Sequence, residues 1–222
     1  MKYKALATDY DGTLAERGAV SEATLSALSL FQKSGRKLIL ITGRELDELL
    51  KVFPSIAIFD LVVAENGALL YDPRTKDIQL LGEAPPQVLL DRLRAAGVQS
   101  LSPGRVIVAT WRPYDSVVAQ IIADLGLDLC VILNKRAVMI LPHGINKASG
   151  LNAGLVRLEL KAGEVAGIGD AENDLDFLQV CGYSAAVANA LPPVKEQCDV
   201  VMLHNHGTGV EELIQKLLSH DA

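Results

Sequence analysis

The stretch Leu38-Ile39-Leu40-Ile41 presents no polar side chain on either face. A strand that is apolar on both faces must be covered on both, as in a parallel sheet. Leu61-Val62-Val63-Ala64 and Val165-Ala166-Gly167-Ile168-Gly169 read the same way, and Tyr3 to Thr8 is a short, mostly apolar run that reads as a buried strand. Helical patterns lie between these runs. Ser21 caps a predicted helix with Leu25, Leu28 and Phe31 on one face and Gly35 just past its end. A second carries Leu46, Leu49, Leu50 and Phe53 inward and is stopped by Pro54. Covered strands alternating with helices predict an α/β fold on a doubly wound parallel sheet.

The rhythm changes after Gly67. Ala68 to Tyr71 and Ile78 to Leu81 flank a polar stretch, Asp72 to Asp77, and predict a hairpin. Beyond Pro85-Pro86 the pattern gives a helix to about Ala96, a strand Arg105 to Ala109, a helix from Tyr114 to Leu125, and strands Cys130 to Leu133 and Ala137 to Leu141. Only Asn134-Lys135-Arg136 separates the last two, so they form an antiparallel hairpin. Residues 83–145 therefore read as a small α+β unit inserted between two parts of a larger core, 1–82 and 146–222. A unit that small has a thin core and leans on its host. The chain then returns with a helix from Lys147 to Leu160, the strand Val165 to Gly169, and a helix carrying Leu175, Phe177 and Leu178. Strands Ser184 to Ala188 and Val200 to Leu203 and a helix from Gly209 to Leu218 complete it.

Composition excludes several classes. The net charge of −6 argues against a nucleic-acid binder that works by neutralising phosphates. No basic run suits an anionic membrane surface, and no apolar stretch reaches the length of a membrane span. The first residues do not read as a signal peptide, because Asp9 interrupts a short apolar stretch. Cys130, Cys181 and Cys198 are odd in number and widely spaced, which suits reduced, mostly buried thiols of a cytoplasmic protein. The oligomeric state is open.

Polar residues without core duties stand where the predicted core strands stop. Asp9 and Asp11 lie in Asp9-Tyr10-Asp11-Gly12-Thr13-Leu14. Thr42 opens Thr42-Gly43-Arg44, Lys147 precedes a helix, and Asp170, Asn173 and Asp174 follow another strand. In a parallel sheet these ends share one edge, so the residues converge. Two crowded carboxylates repel, and a hard cation with oxygen ligands, Mg²⁺, relieves the repulsion. Taken singly, each has a bland alternative: a turn acid, a helix cap, a solvated lysine.

Together, the four motifs resemble the haloacid dehalogenase superfamily over nearly the whole chain: Asp9 to Leu14, Thr42 in Ile41-Thr42-Gly43-Arg44, Lys147, and Gly169 to Asp174. The Thr-Gly-Arg second motif, Glu65-Asn66-Gly67-Ala68 and the place of the insertion resemble its Cof-type (type IIB) branch. The resemblance implies a Rossmann-like core, a type C2 cap and an Mg²⁺-dependent phosphatase acting on a small phosphorylated metabolite, phosphoglycolate or a sugar phosphate. It implies Asp9 as nucleophile and Asp11 as general acid and base. Mg²⁺ is then held by Asp9, the Asp11 main-chain carbonyl and Asp170, with Thr42, Gly43 and Lys147 on the phosphoryl oxygens. Asp174, Asn173 and Arg44 are supporting residues, and Arg44 with Glu65 braces the ends of the second and third strands.

The unit from about Glu83 to Ile145 is the expected lid. In Trp111-Arg112-Pro113-Tyr114, Arg112 can meet a substrate carboxylate or second phosphate, and Trp111 can stack on a sugar. The alternative is a Trp in the cap core beside a solvated Arg. Two other functions fit the motifs: a sugar phosphomutase using the same aspartyl-phosphate, and a phosphate-binding regulatory module without turnover. A dinucleotide-binding protein is excluded by the lack of a Gly-x-Gly-x-x-Gly turn after the first strand.

Overall fold

The computed structural model describes residues 2–219. The chain runs β1 (Ala5–Asp9), α1 (Glu22–Lys33), β2 (Lys37–Ile41), α2 (Leu46–Val52), β3 (Leu61–Ala64), β4 (Leu69–Tyr71) and β5 (Ile78–Leu80). It continues through α3 (Gln87–Ala95), β6 (Ser102–Pro103), β7 (Val108–Trp111), α4 (Asp115–Asp124), β8 (Leu129–Asn134) and β9 (Ala137–Pro142). The last part is α5 (Lys147–Arg157), β10 (Val165–Gly169), α6 (Leu175–Val180), β11 (Tyr183–Ala186), α7 (Pro192–Gln197), β12 (Val200–Val201) and α8 (His206–Ser219).

Eight strands form the larger sheet in the order β12-β11-β10-β1-β2-β3-β4-β5. Every pair from β12 to β3 is parallel; β4 and β5 add an antiparallel edge. The four residues of Leu38 to Ile41 are fully buried, as their lack of polar side chains required. From β1 the chain progresses outward to β2 and β3 on one side, and later from β10 to β11 and β12 on the other. The sheet thus reverses direction of travel beside β1, and the crevice beyond the strand ends at such a reversal is where α/β folds bind ligands. Asp9 ends β1 and Asp170 follows β10 at that point.

A second sheet, β6-β7-β9-β8, comes entirely from the segment between Ser102 and Pro142 and packs its own apolar cluster with α3 and α4. The β8–β9 hairpin is tighter than the sequence implied, pairing Asn134 with Ala137 so that Lys135 and Arg136 alone make the turn. The strand expected over Arg105 to Ala109 is displaced to Val108–Trp111. Arg105, Val106 and Ile107 spend their backbone donors on the buried Glu65 carboxylate instead: Arg105 N–H to Oε1 at 2.9 Å, and Val106 and Ile107 N–H to Oε2 at 2.8 and 3.0 Å. The expected strands at Ser184 to Ala188 and Val200 to Leu203 are also shorter than the pattern suggested.

Glu65 belongs to a loop of unusual backbone, since Glu65, Asn66 and Gly67 have φ of 53°, 56° and 102°. Successive left-handed residues other than glycine are costly and persist where their surroundings hold them. Here Glu65 N–H donates to Arg44 O and Asn66 N–H to Thr42 O, tying the loop to the end of β2. Gly67 lets α5 approach: a Cβ there would lie 1.9 Å from the Asn146 carbonyl oxygen. The loop thus connects the core, the start of α5 and the segment leading into the second sheet.

Glu65→Ala strands two buried donors and a partly buried one, so it should lower stability by about 3 kcal/mol in urea unfolding. It should also speed amide exchange at Arg105, Val106 and Ile107, with Glu65→Gln between it and wild type. Unchanged exchange at those three amides would show that the carboxylate does not hold this segment.

Candidate active site

At the head of α5, Asn146 caps the helix by accepting from Ser149 N–H at 2.8 Å, while Ser149 Oγ accepts from Asn146 N–H at 3.0 Å. This reciprocal box fixes the first turn. It places Lys147 inward with 1% of its side chain exposed. Lys147 Nζ donates to Asp9 Oδ1 at 2.6 Å and also to Asp174 Oδ1. The other Asp174 oxygen accepts the N–H groups of Asp170 and Ala171 at 2.8 and 3.0 Å. Asp174 is thereby occupied on both oxygens and acts as a bracket for Lys147 and for the turn after β10.

Carboxylate oxygens of Asp9, Asp170 and Asp174 lie within 4.8 Å of one another. Gly12 allows this crowding: at φ 93° it has no Cβ, and one built there would meet Asp170 Oδ2 at 2.5 Å. Asp170 Oδ1 accepts from Thr13 Oγ1 at 3.2 Å, and Oδ2 accepts from Lys135 Nζ at 2.9 Å. Burial and then the Asp174 charge push the Asp9 pKa well above the usual carboxylate range, with Lys147 pulling the other way. Burial likewise raises Asp170, opposed by Lys135. For Lys147 burial acts downward, but Asp174 and Asp9 outweigh it and hold the ammonium form. A nest of raised carboxylates is the electrostatic condition that a hard divalent cation relieves.

Asp11 faces the same crevice but is held from its side. Arg44 donates through Nε and Nη2 to both Asp11 oxygens at 2.6 and 2.8 Å, and through Nη1 to Glu48 at 2.7 Å. Its guanidinium also lies over the Tyr10 ring. The Arg44 carbonyl accepts Glu65 N–H at the ends of β2 and β3, where the sequence places a brace, and its side chain in addition grips Asp11. Thr42 is buried, and its Oγ1 accepts Arg44 N–H at 3.1 Å, leaving the hydroxyl proton for another acceptor. The cap of α2 falls to Glu45 rather than to Thr42. Asn173 donates from Nδ2 to Asn66 at 3.1 Å, and its buried Oδ1 has no partner.

Above these residues lies a cavity of about 830 Å³ between the two sheets, walled from below by Asp9, Asp11, Gly43, Arg44, Asp170 and Asn173. Trp111 lines it from the second sheet and is 55% exposed, so it is not part of that sheet's apolar cluster. Arg112 does not line it; its side chain is exposed, and its backbone N–H donates to Arg136 O. Lys135 and Arg136, which the sequence reading passed over as turn residues, do line it. The signal for them was a two-residue hairpin turn without glycine.

The sequence profile of the haloacid dehalogenase-like hydrolases matches residues 6–86 and 106–214. A phosphoglycolate phosphatase of Methanothermobacter thermautotrophicus is 28% identical over 223 aligned positions, spanning 97% of this chain and 99% of that protein. A phosphoglycolate phosphatase of Archaeoglobus fulgidus is 29% identical, spanning 97% of both. The fold superposes on a haloacid dehalogenase-like hydrolase from Bacteroides thetaiotaomicron with a TM-score of 0.84 at 21% identity, covering 97% of this chain and all of that one. With a profile match over most of its length, this chain belongs to the haloacid dehalogenase-like hydrolases.

Proposed function

We propose that this protein is a Mg²⁺-dependent phosphatase that hydrolyses a small phosphorylated metabolite through an aspartyl-phosphate on Asp9. The observation that carries this reading is the contact of Lys147 with Asp9, made beside Asp170 where the sheet reverses. An Asp9 carboxylate oxygen attacks phosphorus, and the bond from phosphorus to the ester oxygen breaks. Asp11 gives the leaving oxygen its proton, then takes a proton from the water that attacks the aspartyl-phosphate. That second attack breaks the bond between phosphorus and Asp9 oxygen and releases inorganic phosphate. As acid, Asp11 must exchange Arg44 for the leaving oxygen; its side chain is 44% exposed and free to do so.

Asp9 and Asp170 fit a hard cation, since Asp9 keeps one oxygen outside the Lys147 contact and Asp170 lies across from it. When bound, Mg²⁺ supplies charge neutralisation for both carboxylates and the phosphoryl oxygens. The Asp11 main-chain carbonyl would complete the protein's share. Lys147, the Thr42 hydroxyl and the backbone at Gly43 hold the phosphoryl oxygens, and Asn173, whose buried Oδ1 is unpaired, lines the cavity beside them. Phosphate esters hydrolyse so slowly that positioning and charge stabilisation must supply most of the acceleration.

The two curated relatives support phosphoglycolate as the substrate. A cavity of about 830 Å³ with Trp111 on its wall favours a sugar phosphate as the second reading. No helix among the described residues is long and apolar enough to cross a membrane. The cysteines are free, and burial pushes Cys181 up to about 12, so none serves as a ready thiolate. We assign the protein to the cytoplasm.

Asp9→Asn should reduce phosphate release from 2-phosphoglycolate by at least about 10³-fold while leaving the circular dichroism spectrum intact. Near-wild-type turnover would refute Asp9 as nucleophile. Mg²⁺ should raise the melting temperature of the metal-stripped protein, and Asp170→Asn should abolish that rise together with activity. A full rise in the variant would remove Asp170 from the metal site.

A further inference from the structure

The floor of the cavity carries carboxylates and cations in close pairs. The ceiling is different. Its charged residues are Lys135 and Arg136 at the tip of the β8–β9 hairpin, and the cap contributes no carboxylate to the wall. Ser100, Thr110, Trp111 and Asn134 make up much of the remainder. A wall whose only charges are cationic, inside a partly closed cavity, attracts a negatively charged ligand.

The cations of the site differ in how far they are committed. Lys147 is held by two buried carboxylates, and Arg44 by Asp11 and Glu48. Lys135 reaches down to Asp170, yet its side chain is 48% exposed, and a metal ion on Asp170 would free it. Arg136 makes no side-chain hydrogen bond or ion pair among the described residues. Its fork of donors therefore stands at the cavity without an acceptor.

Two further observations point to a ligand here. Asn134 has a buried Oδ1 with no partner, at the foot of the same turn. Its amide can present either Oδ1 or, rotated, Nδ2 to a bound molecule. Lys135 has φ 53°, a conformation that glycine or asparagine adopts at lower cost in a two-residue hairpin. A lysine held there breaks a local rule, and such breaks cluster where the side chain has work outside the backbone.

The geometry points to Arg136 and Lys135 as the residues that read a second negative group on the alcohol half of the substrate. The preferred ester then carries either a carboxylate or a second phosphate beyond the ester oxygen. The phosphoryl group sits on the floor with Lys147, and the distal anion meets the hairpin tip. Because the tip belongs to the cap, the distal anion also bridges the two sheets and favours the closed cavity. This assignment rests on the hydrolase reading above and adds a selectivity to it.

Matched esters test it. The wild-type protein should prefer 2-phosphoglycolate to ethyl phosphate, which has the same length and no carboxylate. Arg136→Gln should lower kcat/KM for 2-phosphoglycolate by about tenfold or more, as loss of a charge-assisted hydrogen bond implies, and change ethyl phosphate by less than about twofold. Lys135→Gln should lose discrimination in the same direction. A parallel pair, fructose 1,6-bisphosphate against fructose 6-phosphate, identifies a phosphate as the distal anion if the selective loss appears there. Equal losses on charged and uncharged partners in both pairs, or no loss in either, would overturn the assignment. Failure of the wild type to release phosphate from p-nitrophenyl phosphate and from all four esters would instead overturn the hydrolase reading.

Discussion

A lysine ammonium buried between two carboxylates is the constraint on which the core of this structure depends. Lys147, Asp9 and Asp174 are all nearly or wholly excluded from water. Charges taken out of water are tolerated only when paired and hydrogen-bonded, and removing one partner leaves the others uncompensated. The surrounding backbone is shaped to make the pairing possible. The capped first turn of α5 aims Lys147 inward, and Gly67 admits that turn against the left-handed loop after β3. Gly12 leaves room for Asp170 beside Asp9. With three carboxylates and the ammonium groups of Lys147 and Lys135, the cluster is still net negative before any phosphate arrives. That imbalance is the physical argument for a divalent cation.

The core and its motifs were legible in the sequence because each rests on a short-range rule. A run such as Leu38 to Ile41 can only be a doubly covered strand, and a polar residue directly after such a run can only lie at the sheet edge. Asp9 and Asp170 could therefore be expected at one edge, and Asp174 and Lys147 joined them through the combination of motifs rather than through any single one. The departures are long-range. Val106 and Ile107 are apolar and read as strand, but their N–H groups are taken by a glutamate far away in the chain. No periodicity reports a bond of that kind. The Arg44 main chain does meet Glu65 at the strand ends, but the hold of its side chain on Asp11 joins a different strand end and has no local signal. Lys135 and Arg136 looked like ordinary turn residues, and only the folded cap brings them over the floor.

The ion pairs sort by burial in a way that bears on how the site works. The Lys147 pairs are shielded from solvent, so exchanging them for water or ligand is costly, and they fix positions. The Arg44–Asp11 pair is partly open to solvent, and such pairs contribute little net stability; the Lys135–Asp170 pair joins an exposed lysine to a buried carboxylate, which needs another cation when Lys135 leaves. A weakly bound pair can trade its partner for a substrate atom with little loss. In the proposed reaction Asp11 does this to reach the leaving oxygen, and Lys135 does it when a cation takes Asp170. On the proposed reading, the scaffold places rigid electrostatics beneath the phosphoryl group and exchangeable electrostatics on the side toward the second sheet. In the proposed reading, selectivity among phosphate esters belongs to the hairpin tip, because the Arg136 side chain has no partner among the described residues to give up and Lys135 is released once a cation takes its place on Asp170.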